Sequence, residues 1–437
     1  MFQTLVNAFK NKDVRKKILI TLALLFIYRL GCWLPIPGIN GETYSGSAGS
    51  GDILGLLSMI SGGALSNGAF LAIGISPYIN ASIIIQLLTV AIPVLERWSK
   101  QGDEGRKKLN VLTRVFTLIL AVAQAIGVLV NFSREGAIST TIFAANLPRW
   151  LVCMFVAIVL IAGSMFTMWL GERITEIGVG NGISLLIFVG ILSTAGISIV
   201  SVITAWIKGN DETAPWQLLV FVLLVVVIFA FIVFVDLAER KIPVHYAKQI
   251  KGRKQYGGQT TYIPIKVNAT GVMPIIFATA ILSFPQLICS LFLSPTNGFY
   301  VWWQKWLGVG KPIYSVLVGL LILFFSYFYA TIQFNPEEVA RNIQQYGGNI
   351  TGLRPGKQTS DYLAKINKRL TLFGAIFLAI IAIVPSIIFN FVFTGASISL
   401  VNAFSATGML IVVSVALEFE KQLQSQLMMK QYRGFLK

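Results

Sequence analysis

The sequence is poor in charge, in histidine and in cysteine, and each shortage excludes a class of protein. Only 12% of its 437 residues are charged and 55% are hydrophobic, which excludes an ordinary soluble domain and indicates a membrane protein. The three cysteines, Cys32, Cys153 and Cys289, lie in apolar runs without a motif spacing. This argues against a disulfide framework or a zinc site and favours buried, small hydrophobic side chains.

Ionisable side chains are almost absent from the apolar runs. The single histidine, His245, lies between two of these runs, so no histidine base is expected within a membrane. Neither an HExxH motif nor a phosphate-binding loop is present, and we predict no catalytic residue, metal or cofactor. Ion-coupled transporters usually carry acids, histidines or lysines at mid-depth. Only Arg29 lies clearly within an apolar run, near one end, and its role could be structural or functional.

Apolar runs of about 20 residues, the length at which a helix crosses a bilayer, predict an all-α polytopic membrane protein. The ten spans are predicted near residues 18–34, 70–94, 112–131, 150–170, 183–206, 217–235, 270–293, 313–334, 370–390 and 400–418. A basic start precedes the first run, which ends at Trp33-Leu34-Pro35 without a small-residue cleavage site. We therefore expect a retained span rather than a signal peptide.

Basic residues are divided unevenly between the two sides of the predicted spans. The segments on the side of the N-terminus hold 29 of the 35 Lys and Arg residues, and the opposite segments hold five. By the positive-inside rule this predicts a multi-pass membrane protein with both termini in the cytosol. The net charge of +17 then belongs to the cytosolic face, where it would also attract anionic lipid.

One apolar run is too short to cross a bilayer. Residues 53–65 would form a helix of roughly 20 Å, against the roughly 30 Å of a hydrocarbon core. The ends of such a stub find no hydrogen-bond partners in lipid, so it must lie within protein or in a water-lined cavity. This short helix therefore indicates a vestibule, and with it a pore or a transport path.

Two loops on the basic side are long enough to fold. In the loop 236–268, strand-like runs at 242–246 and 261–265 flank a basic stretch, which predicts a hairpin with a basic tip. The loop 335–369 opens with Asn335-Pro336-Glu337-Glu338, the pattern of a capped helix start. Such tips suit phosphate backbones or acidic protein surfaces. The alternative is that both loops are solvated and serve only to set the topology.

The second and seventh spans share a sequence pattern. Gly74-Ile75-Ser76-Pro77-Tyr78-Ile79 and Gly271-Val272-Met273-Pro274-Ile275-Ile276 both read Gly-x-x-Pro-x-Ile. They take matching places in two sets of five spans, and an odd number of spans gives the two sets opposite topology. This predicts an inverted repeat with halves 1–210 and 211–437. A solute transporter also uses such repeats and stays an alternative; a membrane enzyme is disfavoured by the lack of internal acids and histidines.

Five motifs resemble the SecY family of protein-conducting channel subunits, over about residues 15–430. They are Leu34-Pro35-Ile36-Pro37-Gly38, Ser61-Gly62-Gly63-Ala64-Leu65-Ser66, Pro77-Tyr78-Ile79-Asn80-Ala81-Ser82 with its continuation to Leu88, Gly180-Asn181-Gly182-Ile183-Ser184 and Gly352-Leu353-Arg354-Pro355-Gly356. The resemblance implies an hourglass channel between the two halves. Asn80 and Lys357 depart from the residues common in the family, and neither departure affects the resemblance.

The resemblance also implies roles for particular residues. A pore ring would consist of Ile75, Ile79, Ile183, Ile187, Ile276 and Ile411. The short helix would be a plug, with Ile53, Leu54, Leu57, Ile60, Gly62, Gly63 and Leu65 as its residues. A lateral gate would involve Gln86, Gln124 and Thr279, and partner docking would involve Lys251, Arg253, Lys254 and Arg354.

Partners follow from the same resemblance. They are the SecE and SecG subunits, the SecA motor ATPase, the ribosome through its RNA phosphates, and signal sequences with the translocating polypeptides. The implied function is passage of unfolded secretory polypeptides across the membrane and sideways release of membrane segments into lipid. No catalytic site of the chain's own is expected, because the partners would supply the energy.

Overall fold

The computed structural model is mostly helical. It describes residues 6, 8–40, 58, 61–139, 141–142, 145–146, 148–207, 215–246, 249–251, 254–256, 260–292, 297–308, 311–392 and 406–434. The helices of ten residues or more, with one shorter helix after the second, are α1 (Lys12–Gly31), α2 (Ser76–Ala91), α3 (Pro93–Lys100), α4 (Asp103–Arg134), α5 (Arg149–Ile177), α6 (Gly182–Ile207), α7 (Pro215–Leu237), α8 (Met273–Phe292), α9 (Gly298–Leu307), α10 (Pro312–Gln333), α11 (Pro336–Gln345), α12 (Lys357–Val392) and α13 (Ala406–Gly434).

The strands are short and antiparallel. They are β1 (Thr141–Ile142), β2 (Ala145–Asn146), β3 (Glu239–Tyr246), β4 (Gln249–Lys251), β5 (Lys254–Tyr256), β6 (Thr260–Lys266) and β7 (Gly348–Ile350). One sheet has the order β6-β3-β7, and β1-β2 and β4-β5 form two-stranded pairs. The strands predicted at 242–246 and 261–265 are thus confirmed as parts of β3 and β6, which pair from Glu239 with Lys266 to His245 with Thr260.

Six described helices are long and apolar enough to cross a membrane, and a seventh span results if α2 and α3 count together. Helices α1, α8 and α13 cover the remaining three predicted spans, so the structure is consistent with ten. The predicted span 70–94 differs in detail. Its helix begins only at Ser76 and bends by 102° between Ala91 and Pro93, because a proline at that point interrupts the helical hydrogen bonds.

The chain divides into two compact units. The first unit comprises residues 1–214, 283–311 and 393–437, and the second comprises 215–282 and 312–392. The division into halves 1–210 and 211–437 stays a prediction. In the first unit α4 packs on α2 and α5, and α6 packs on α5 and α13. A buried cluster there joins the segment after α1, the segment before α2 and helices α4 and α5; its members include Ile36, Leu65, Ile73, Phe132 and Leu160.

Both long loops of the basic side contribute to one small module in the second unit. Val244 of β3 pairs with Ile350 of β7, although 106 positions separate them. One core joins β3, β6, α11, β7 and the start of α12, and its fully or nearly buried members are Ile242, Val244, Ile265, Ala340, Ile343, Ile350 and Leu363. The predicted helix start is confirmed, since the Asn335 side chain accepts hydrogen bonds from the amides of Glu337 and Glu338. We call this group of elements the strand module.

Candidate functional site

The predicted isoleucine ring starts where two helices begin. Ile75 immediately precedes α2 and is 2% exposed, and Ile183 is the second residue of α6. Gly171 of α5 lies between them. A Cβ atom on residue 171 would stand 3.3 Å from Ile183 Cγ1 and 3.6 Å from Ile75 Cδ1. The two isoleucine side chains therefore converge on one point of α5 that glycine leaves open.

Ile187 and Ile411 lie on α6 and α13, which pack against each other in the first unit. A cleft between these helices is lined by Gly180, Asn181, Ser184, Leu185, Val415, Glu418, Phe419 and Gln422. A Cβ atom on Gly180 would stand 3.4 Å from the Phe419 ring. Ile187 follows the lining residue Leu185 by two positions, and Ile411 precedes the lining residue Val415 by four positions. Both isoleucines are buried.

Ile79 and Ile276 complete the predicted set. Ile79 lies one turn into α2, where its amide donates to the Ile75 carbonyl at 3.1 Å, and its side chain is half-buried. Ile276 is half-buried in the first turn of α8, in the second unit. The first unit therefore carries five of the six isoleucines at helix starts or on packed helices, and their closure into one ring stays a prediction.

The residues at the end of the predicted short helix form tight turns. Gly62 and Gly63 have φ angles of 70° and 84°, a left-handed conformation that ends a helix and that glycine adopts without strain. The Gly63 amide donates to the Ser58 carbonyl at 2.7 Å, and the Ala69 amide donates to the Ala64 carbonyl at 2.9 Å. The helix expected over 53–65 therefore does not include residues 61–65, because the two glycines reverse the backbone there.

This turn lies against two ring positions. The Ser61 Cβ atom stands 3.3 Å from the point where a Cβ of Gly74 would be, and Gly74 immediately precedes the first ring residue. A Cβ atom on Gly62 would stand 3.1 Å from the Cα atom of Gly190, which follows the second ring residue of α6 by three positions. Three positions correspond to less than one helical turn. The turn at 61–62 is thus seated against Gly74 and Gly190, which lie one and three positions from the predicted ring residues Ile75 and Ile187.

Helix α1 binds the backbone of this turn. Arg29 Nη1 donates a hydrogen bond of 2.7 Å to the Gly62 carbonyl, and Cys32 Sγ donates one of 3.5 Å to the Ser61 carbonyl. The Arg29 guanidinium also lies over the Trp33 ring, 5.8 Å from its centroid. The arginine that the sequence placed within an apolar run therefore contacts protein, and it contacts the segment that was predicted to be a plug.

The other predicted plug residues divide into two groups. Leu65 is fully buried in the cluster that includes Ile73 and Phe132, so it belongs to the fixed core of the first unit. Ser58 Oγ and Ser66 Oγ form a short hydrogen bond, which links the two arms of the turn. Four predicted plug residues lie outside the described part of the chain, namely Ile53, Leu54, Leu57 and Ile60.

The predicted gate residues are polar side chains on apolar helices. Gln86 Nε2 of α2 donates to Ser82 Oγ at 3.4 Å. The side-chain oxygens of Gln86 and Gln124 are buried without a hydrogen-bond partner among the described residues, and Gln124 of α4 is 4% exposed. Thr279 Oγ1 of α8 donates to the Ile275 carbonyl at 3.0 Å. Helices α2 and α4 pack together, whereas α8 begins in the second unit.

The predicted docking residues lie on two tips. Lys251 and Lys254 are the last backbone pair of the β4-β5 ladder, and Arg253 lies outside the described residues. Arg354 is exposed on the turn that precedes α12, and its amide donates to Gln358 Oε1 at 3.3 Å. Because the backbone of Arg354 holds the turn, its side chain is available to a partner.

Comparison with known proteins decides the family. The sequence model of the family described as SecY matches residues 69–420. The chain belongs to the SecY family. The protein named Protein translocase subunit SecY from Halalkalibacterium halodurans is 41% identical over 443 residues, with 100% of each chain covered. Its namesake from Bacillus subtilis is 42% identical over 441 residues, again with 100% of each covered.

Solved structures agree with the SecY-family fold. A structure described as that of a protein conducting channel superposes with a TM-score of 0.64 at 22% identity, over 94% of this chain and 91% of that chain. Sec61 in the canine ribosome–channel complex from the endoplasmic reticulum gives a TM-score of 0.60 at 20% identity, over 94% and 91% of the chains. The SecY-family fold is therefore common to this chain and to channels of low sequence identity.

Sequence reasoning missed the residues that seat the turn. Gly171 and Gly190 contact the ring residues and the turn across helices, and a lone glycine in an apolar run carries no signal of such a contact. The bond from Arg29 to a backbone carbonyl was also missed. The sequence did indicate that Arg29 needs a partner, because an ionisable residue within a membrane span pairs with a polar group. It could not indicate which group, because a backbone carbonyl acceptor cannot be recognised from the sequence.

Proposed function

We propose that this SecY-family chain is a channel that conducts unfolded secretory polypeptides across the cytoplasmic membrane. The observation that supports it best is the seat of the 61–62 turn against Gly74 and Gly190, beside two ring positions. Hydrogen bonds and van der Waals contacts hold the turn, so a polypeptide can displace it. Relatives named as protein translocase subunits and a neighbour described as a protein conducting channel support the same function.

The ring would provide the seal. Aliphatic side chains at a constriction exclude water and so block ions, yet they offer no polar site at which a passing polypeptide would be retained. The ring consists of Ile75, Ile79, Ile183, Ile187, Ile276 and Ile411. The turn at 61–62, with the residues before it, acts as a plug on the side of the ring away from the cytosol.

Membrane segments would leave sideways through a gate that includes Gln86, Gln124 and Thr279. The buried and unpaired side-chain oxygens of the two glutamines support this role. A helix seam with unsatisfied polar atoms is less stable when closed than an apolar seam, because a buried acceptor without a donor carries a desolvation cost. Signal sequences and hydrophobic segments of the substrate would therefore open it at a low energetic cost.

The basic tips would dock the cytosolic partners. Lys251, Arg253, Lys254 and Arg354 suit RNA phosphates of the ribosome and acidic surfaces of the SecA motor ATPase. The strand module gives Arg354 a folded base, which supports docking over a role as a solvated loop. SecE and SecG would complete the complex, and anionic lipid would favour the basic face.

The proposed arrangement in the membrane follows from the charge distribution. The halves 1–210 and 211–437 would form an inverted repeat, with both termini in the cytosol. The direction of α1, from its basic start at Lys12 to Gly31, then puts Arg29 and the turn that it binds towards the outer side. No catalytic step is assigned to the chain, and the motor or the ribosome supplies the energy.

Reconstitution tests this function. The chain, together with SecE and SecG, is placed in vesicles that contain anionic lipid, and SecA, ATP and an unfolded secretory protein are added. We expect the full-length substrate to become protected from external protease only when ATP and the chain are both present. Vesicles without the chain serve as the control. Transport of a small solute by the chain alone, with no protected polypeptide, would overturn the proposal.

A further inference from the structure

No salt bridge joins Arg29 to a carboxylate in the described part of the chain, whereas Arg114 and Glu172, for example, form one there. Its strongest described contact is the 2.7 Å hydrogen bond to the Gly62 carbonyl. A bond at this distance between a guanidinium and an oxygen is charge-assisted, and such bonds are stronger than neutral ones. A charge in this apolar setting is thus used to hold one backbone carbonyl.

The geometry at Gly62 leaves little room for a side chain. A Cβ atom on residue 62 would stand 2.9 Å from Arg29 Nη1 and 3.1 Å from the Gly190 Cα atom. The positive φ of Gly62 turns its carbonyl out of the regular backbone pattern, and a buried carbonyl requires a donor. The guanidinium supplies that donor from one side while α6 supports the glycine from the other side.

One turn of α1 binds two consecutive carbonyls. Arg29 binds the carbonyl of Gly62, and the fully buried Cys32 thiol contacts the carbonyl of Ser61. Beyond Gly63 the chain is fixed, because Ala64 and Leu65 are fully buried. The two contacts of α1 therefore act on the residues that precede Gly63 in the chain. Both contacts break if the turn moves away from Gly74 and Gly190.

We propose that Arg29 is a positioning residue that latches the plug of the resting channel. Its bond to the Gly62 carbonyl holds the 61–62 turn beside Gly74 and Gly190, and displacement of the turn by a substrate breaks that bond. The latch rests on the proposed channel function. Lysine would restore only part of the effect, because a single ammonium lacks the rigid fork of donors that a guanidinium presents to an oxygen.

The test measures resting ion conductance of the complete membrane complex in planar bilayers. Arg29→Met replaces the guanidinium by an apolar, unbranched side chain and so removes the hydrogen bond to the Gly62 carbonyl. We expect it to raise the open fraction at rest by about tenfold, the factor for one lost charge-assisted bond, and Arg29→Lys to give an intermediate rise. Arg149→Met is the matched control, since Arg149 Nη2 bonds Ser133 in the first unit without contacting the turn.

A crosslink experiment distinguishes the loss of the Arg29 contact from general damage to the fold by the substitution. In the Arg29→Met background, Ser61→Cys supplies a thiol on the residue whose carbonyl native Cys32 contacts, and oxidation of this pair should restore the low conductance, which reduction should abolish. Cys32→Ala removes the crosslink and serves as its control. Wild-type conductance in both Arg29 variants would overturn the latch, and so would a leak that the crosslink leaves unchanged. If the wild-type complex itself moves no polypeptide, the channel function fails instead.

Discussion

Gly163 of α5 lies beneath the carbonyl of Phe70: a Cβ atom on residue 163 would stand 2.1 Å from that oxygen. The next residue, Leu71, is fully buried, and a Cβ on Gly31 of α1 would stand 2.7 Å from its Cδ1 atom. Glycines on two helices thus let the segment before α2 pass closely between them. This close packing fixes the segment that carries Ile75.

We expect Gly163→Ala to destabilise the protein. The added methyl group would overlap a backbone carbonyl that cannot rotate away, and overpacking of this kind costs about 1–3 kcal/mol of the free energy of unfolding. Thermal unfolding of the purified protein in detergent measures it. Gly196→Ala is the control, because nothing lies within 4 Å of its Cβ position. Equal midpoints for the two variants would contradict the close packing at Gly163.

The ring makes a prediction about ion leak. Replacing Ile79 and Ile187 together by Asn should raise the resting conductance of the reconstituted complex several-fold, because a constriction lined by polar side chains stays wet. Planar-bilayer recordings at fixed voltage measure this. The double replacement by Val keeps the constriction apolar and should leave the conductance near that of the wild type. If the Asn variant had the same low conductance as the Val variant, Ile79 and Ile187 would not be part of the seal.

Local patterns made part of the fold predictable. Strand-like runs indicated β3 and β6, and Asn335 before a proline indicated the start of α11. Strand β7 and the shared core of the strand module were missed, because the pairing of Val244 with Ile350 joins distant parts of the chain. A three-residue strand has no periodicity of its own, and its partner decides its conformation.

The contacts around the predicted site residues were not predictable from the sequence. The family resemblance implied that Ile75 and Ile183 are ring residues, which stays a prediction, and the sequence predicted a helix over 53–65 where the structure has a turn at Gly62. The sequence could not show that the turn leans on Gly190 or that Arg29 binds its carbonyl. Both contacts depend on how α1 and α6 pack, and backbone acceptors are the same at every residue.

The shared core of the strand module can be tested by Val244→Ala. Val244 is fully buried, and loss of two methyl groups there should lower the stability of the module by about 2 kcal/mol. Hydrogen exchange of the full chain should then quicken in β7 as well as in β3. Tyr262→Ala is the control, because this side chain is 57% exposed on β6. Unchanged hydrogen exchange in β7 would mean that the two loops do not share one cooperative core.

The unpaired oxygen of Gln124 predicts a stabilising substitution. Gln124→Leu should raise the free energy of unfolding by about 1–2 kcal/mol, because it removes a buried acceptor that has no donor. It should also slow the release of membrane segments, since an apolar seam is more stable when closed. Thermal unfolding and the rate of membrane insertion of a reporter measure these effects. Gln345→Leu, at an exposed position, should change neither, and a destabilised Gln124→Leu protein would argue against a gate of this kind.

Arg354→Glu should impair translocation driven by SecA while the chain remains folded and inserted. The Arg354 backbone, through its amide and carbonyl, holds the turn before α12, so reversing the side-chain charge leaves that turn intact and acts on the partner. Initial rates of substrate protection at several SecA concentrations give the apparent affinity and the maximal rate separately.

A lost docking contact should raise the SecA concentration needed for half-maximal rate, and Arg354→Lys should retain part of the wild-type affinity, because the charge is kept while the guanidinium fork is lost. Lys365→Glu is the charge-matched control, since Lys365 is exposed on α12, within the same unit. An equal loss in Arg354→Glu and Lys365→Glu would mean that the partner senses only the overall charge of this face. A loss confined to Arg354→Glu would support a defined contact at the tip.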